Sequence, residues 1–131
     1  MNRYDLQFLL LATLSLIVGV VLGIVMAATQ DFQLRPVHAH INLVGWASLA
    51  LFGLAYRVYP VLATRRLARL HLLLSGSAAV LMPGGITLAV LVRSEALAMI
   101  ASVLWLAGAI VFLFQLLSLM SAPAQSPSPA E

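Results

Sequence analysis

With no cysteine in the chain, any cofactor must hang on other residues, and the three histidines come first because neutral imidazole is a good ligand for zinc, copper and iron. His38 and His40 follow Pro36, which suits the first turn of a helix since its missing N–H would be unpaired there anyway. At about 100° per residue the two point about 200° apart on a regular helix, so one helix cannot turn both toward a single metal ion. They must serve two neighbourhoods. The face under His38 continues through Asn42, Gly45, Leu49, Phe52, Gly53 and Tyr56, and its glycines make a groove where a flat ligand or another backbone could come close. The plainer reading keeps both histidines in the headgroup zone, bonded to water or lipid. His71 opens another apolar run two residues after Arg69, roughly 25–30 Å away by helix rise, and reads as an interfacial residue outside any shared site.

The elements that must position these residues follow from composition. The 131 residues are 63% hydrophobic and 8% charged, against roughly 45–50% and 25% in soluble domains, which excludes an ordinary soluble enzyme. Four stretches meet the ~20 apolar residues a spanning helix needs: 6–28, 37–60, 70–92 and 96–120. The expected fold is an all-α integral membrane four-helix bundle over residues 1–120, with a Ser/Pro/Ala tail at 121–131 that has nothing to bury. The first run is not a signal peptide, because its apolar core exceeds the ~7–15 residues of such segments and Asp5 is out of place before it.

A pI near 10.2 could suggest nucleic acid, but the arginines stand at the edges of apolar runs rather than over a folded face. Arg3, Arg57, Arg65, Arg66 and Arg69 fall on one side of the membrane and Arg35 and Arg93 on the other, so the positive-inside rule puts both termini in the cytoplasm. The arginine-only basic set and the Ala/Leu richness hint at a high-GC bacterium, and the expected location is a bacterial inner membrane. Tyr4, Tyr56 and Tyr59 are then expected at the cytoplasmic interface. No Asp or Glu lies inside any of the four stretches, which disfavours proton-coupled transport. Ser15, Gly19, Gly23 and Ala27 form a small-residue stripe expected to pack within the protomer, packing between protomers being the alternative. Pro83-Gly84-Gly85 is expected to bend the third span.

The stretch His38-Ala39-His40, Gly45, Phe52-Gly53, Tyr56 and Pro60 resembles a helix in the catalytic subunit of haem-copper oxidases. Leu34-Arg35-Pro36-Val37-His38 is similar to the approach to another haem-ligating helix of that family. The resemblance is confined mainly to residues 34–60. It implies that His38 and His40 are axial ligands of haem iron, but the chain lacks the further histidines for copper, so oxygen reduction by this chain alone is not expected. In that family helices form arcs around a pseudo-threefold axis, and a homotrimer would imitate the arrangement, His38 of one protomer facing His40 of the next across haem b. A twofold dimer is the competing geometry. In such a site Arg35 could pair with a propionate, or be an interfacial anchor. Asn42, Gly45, Trp46 and Gly53 would complete the surroundings, Trp46 being either pocket wall or packing. Trp105 reads as packing or lipid contact. The implied activity is electron transfer, with a redox partner in the membrane or periplasm. The alternatives are a copper or zinc site on the same histidines and a cofactor-free accessory subunit of a respiratory oxidase.

Overall fold

The computed structural model describes residues 3–64 and 66–121. The expected tail at 121–131 therefore lies outside the described residues, except for Ser121. Four helices are long and apolar enough to cross a membrane: α1 (Tyr4–Thr29), α2 (Arg35–Val58), α3 (Arg66–Val92) and α4 (Ala96–Met120). A short 3₁₀ turn, Pro60–Thr64, joins α2 to α3. All four begin or end within a few residues of the expected stretches. The largest extension is at the start of α3, where helix begins at Arg66 rather than Leu70.

α2 is not a uniform helix. Residues Ile41–Ser48 form a π-helix between two α-helical segments, Arg35–His40 and Leu49–Val58. The Ser48 hydroxyl donates to the Leu43 carbonyl, five residues back, at 2.8 Å. The wider turn has a packing consequence. The buried residues Val37, Ile41, Gly45, Leu49 and Gly53 recur every fourth position, a spacing that drifts about 40° per step on a regular α-helix. Bonding to i+5 slows the rotation and keeps them on one face.

That face packs antiparallel to α1 through small residues. A methyl on Gly53 would come within 2.9 Å of Leu9 Cγ, one on Gly45 within 2.6 Å of Ser15 Oγ, and one on Gly19 within 2.7 Å of Asn42 Nδ2. The Ser15/Gly19/Gly23 stripe thus packs within the chain. The same contacts correct the expected ligand groove at Gly45 and Gly53: α1 fills it, leaving no room for a flat molecule.

Pro83 does not interrupt α3, which is helical throughout Arg66–Val92. Gly85 instead lets the backbone of Ala98 come close, where a side chain would meet Ala98 Cα at 2.8 Å. α4 follows after a three-residue connection in which Arg93 adopts a left-handed conformation, φ 59°, and the two helices pack along their length.

Candidate functional site

His38 and His40 stand near the start of α2, just after the α1–α2 turn. Within that turn Asp31 Oδ1 accepts from the Gln33 amide at 3.0 Å, and the Arg35 guanidinium lies 5.2 Å from the Phe32 ring centroid. Pro36 sits in the first turn, as its fixed φ favours. The two imidazoles diverge as the helical angle requires. His38 is half-buried against α1, and His40 is exposed on the outer face.

Their hydrogen bonds share one pattern. His38 Nδ1 lies 3.0 Å from the Gly19 carbonyl oxygen, and His40 Nδ1 lies 2.8 Å from the Pro36 carbonyl oxygen. A carbonyl oxygen only accepts, so Nδ1 carries the hydrogen in both rings and the neutral imidazole keeps its lone pair on Nε2. Gly23 makes room for the His38 ring, since a Cβ there would meet Cε1 at 3.0 Å. Asn42 Nδ2 donates to the His38 carbonyl at 2.8 Å and stands 3.5 Å from His38 Nε2.

The other expected residues distribute around this pair. Arg35 is exposed, with no acidic partner among the described residues. Trp46 is 42% exposed. Gly45 and Gly53 belong to the α1 contact described above.

His71 departs most from its expectation. It is fully buried rather than interfacial, because α3 starts a turn earlier and the residue falls inside the bundle. Tyr56 OH lies 3.0 Å from His71 Nδ1 and 3.3 Å from Gln115 Oε1, and it accepts from Gln115 Nε2 at 2.9 Å. The phenol can give its hydrogen to His71 Nδ1 or to Gln115 Oε1, so this contact is compatible with either imidazole tautomer. His71 Nε2 has no hydrogen-bond partner. The ring is enclosed by Phe8 at 5.0 Å, Phe52 at 4.6 Å and edge-on, and Phe112 at 5.0 Å and stacked.

Of the three tyrosines expected at the interface, Tyr56 is 2% exposed and Tyr4 7%, both packed against other side chains, whereas Tyr59 is 47% exposed. Trp105 packs, its ring 5.9 Å from that of Phe52. Asp5 is in the first turn of α1, near Arg3 Nε at 3.4 Å and Arg57 Nη1 at 3.5 Å, so the charge inside α2 has a counter-ion. Gln115 was missed by a reading that looked only for charges inside spans. Its signal was available: a lone amide in the run Phe112-Leu113-Phe114-Gln115 must find a polar partner in the bundle.

Comparison of the chain with protein-family models, curated proteins and solved structures found no match.

Proposed function

We propose that the chain is a membrane b-type haem protein for one-electron transfer, with His40 of one protomer and His38 of the next as axial ligands. The observation that carries this reading is the shared hydrogen-bond pattern of the two rings. Each gives Nδ1–H to a backbone carbonyl and so presents the Nε2 lone pair. A metal-bound histidine is oriented and made more basic in the same way.

The donor set fits haem better than a bare ion. A structural zinc takes about four protein ligands, whereas no group of three or more His, Cys, Asp or Glu comes together among the described residues. Haem iron asks only for axial ligands. The histidines stand on opposite faces of α2, so one chain cannot turn both to one iron; His40 faces outward toward a neighbour, and His38, half-buried against α1 of its own chain, would be reached by its Nε2 edge beside Asn42. A trimer agrees with the oxidase resemblance, and a twofold dimer is the rival geometry.

His38 and His40 would hold the haem, which would supply one-electron redox chemistry. The Gly19 and Pro36 carbonyls set the orientation of the two imidazoles, and Gly23 keeps space for the first. Arg35 offers a cation to a propionate at the mouth of the site. The arginine distribution supports a periplasmic setting for this end, with both termini in the cytoplasm of a bacterial inner membrane.

The test is the absorbance spectrum of the detergent-purified protein, oxidised and dithionite-reduced, with a pyridine haemochrome assay. Sharp reduced α and β bands with about one haem per chain are expected for the ring. One haem per two chains would favour the dimer. A protein that stays colourless after haem addition would overturn the reading and leave the accessory subunit or a zinc site.

A further inference from the structure

Away from His38 and His40, a groove opens between α1 and α3, which touch each other far less than α1 touches α2. Its body, about 580 Å³, is lined by residues including Leu10, Leu11, Leu73, Gly76 and Val80. A second hollow of about 340 Å³ shares Gln7, Leu72 and Leu73 with it and ends on Arg69 and Tyr4. A third, about 270 Å³, shares Leu11 and Val80 and reaches Ser15 and Pro83. Together they make one furrow, open sideways. From Arg69 to Pro83 along α3 it runs about 21 Å, longer than the ~15 Å of hydrocarbon in a single leaflet.

The two ends of the furrow differ in chemistry. Leu, Gly and Val line its length, which suits an acyl chain. At its mouth the exposed Arg69 has no acidic partner among the described residues, because Asp5 stands with Arg3 and Arg57 and Asp31 and Glu95 lie in the connections at the opposite end of the bundle. Gln7 adds an amide donor beside it. An unpaired guanidinium at the membrane surface, continuous with an apolar groove between helices, is complementary to an anionic headgroup with its tail attached.

We propose that the α1–α3 groove holds one anionic phospholipid, its phosphate on Arg69 and Gln7 and one acyl chain along Leu73, Gly76 and Val80 toward Pro83. This stands independently of the haem reading. The test is native mass spectrometry of the protein released from maltoside micelles, with phosphatidylglycerol or phosphatidylcholine added at equal concentration. Wild type should retain phosphatidylglycerol about fivefold over phosphatidylcholine, the ratio expected of one basic contact at a membrane surface. Arg69→Gln should abolish the preference. Arg66→Gln, which lies outside the groove, should keep it. Gly76→Leu, whose side chain would enter the space beside Leu11, should lose both adducts while circular dichroism stays helical. Equal retention of the two lipids by wild type, or an undiminished preference in Arg69→Gln, would overturn the proposal. So would rapid intermolecular disulfide formation by Ser77→Cys in this otherwise cysteine-free chain, since a second copy would then occupy the groove.

Discussion

At the Arg35 end of the bundle, His38 and His40 give their Nδ1 hydrogens to backbone carbonyls and keep a lone pair on Nε2. At the Arg69 end, His71 Nδ1 meets the Tyr56 hydroxyl and the ring is sealed among phenylalanine rings. The same side chain thus meets two kinds of surroundings a bundle length apart. The difference teaches that the surroundings of the ring decide what an imidazole can do. A carbonyl partner on Nδ1 readies Nε2 for a ligand at the Arg35 end, whereas enclosure by Phe8, Phe52 and Phe112 makes the His71 ring part of the packing.

The strongest way to break this contrast is to remove one imidazole from each end. His40→Ala should eliminate the reduced haem bands, a loss of more than about tenfold in haem per chain, with helical circular dichroism unchanged. His71→Ala should leave the bands of the folded protein in place. Its effect belongs to stability instead: loss of a buried hydrogen bond plus a cavity should cost about 3 kcal/mol in a reversible unfolding titration. Haem lost from folded His71→Ala, or retained by His40→Ala, would reverse the roles of the two ends.

A smaller change sharpens the account of the His71 end. Tyr56→Phe removes only the hydroxyl but strands His71 Nδ1 and the Gln115 amide together, for an expected loss of about 2 kcal/mol. Adding Gln115→Leu should recover part of it, because one stranded polar group is then gone; a double mutant as unstable as the sum of the two singles would argue against a shared network.

The mildest perturbation acts at the His38 end without touching a ligand. Gly23→Ala places a methyl about 3.0 Å from His38 Cε1, tilting the ring off the Gly19 carbonyl. Haem occupancy should fall a few-fold at a cost of less than about 1 kcal/mol in stability. Unchanged occupancy would mean that the orientation of His38 is set elsewhere.

The spans were legible because length and apolarity are local properties: α4 begins at Ala96 and ends at Met120 as the hydrophobic run does. The divergence of His38 and His40 was legible too, since two residues on one helix fix an angle. The surroundings of His71 were not, because Phe8, Tyr56 and Gln115 come from three other helices and nothing near Arg69 in sequence announces them. The π-helical segment lay between these cases. A regular period of 3.6 selects His38 and Asn42 for the buried face, and the structure buries Val37 and Ile41 more fully. Apolar and small residues at every fourth position were the signal that the turn is wider than usual.

The Tyr56, His71 and Gln115 network also has a history within each molecule's synthesis. Tyr56 precedes His71 by 15 residues and Gln115 by 59, so a ribosome delivers the phenol first, the imidazole soon after and the amide last. When α3 enters the bilayer, its histidine already has a hydroxyl to meet, and neither group must wait unpaired in hydrocarbon for the rest of the chain. The final helix then arrives with an amide whose acceptor is already in place, which gives α4 one docking register against α2. A chain stopped before Gln115 would keep the first pair and lack the closing bond, so the last helix works as a latch on a core that the earlier helices have begun.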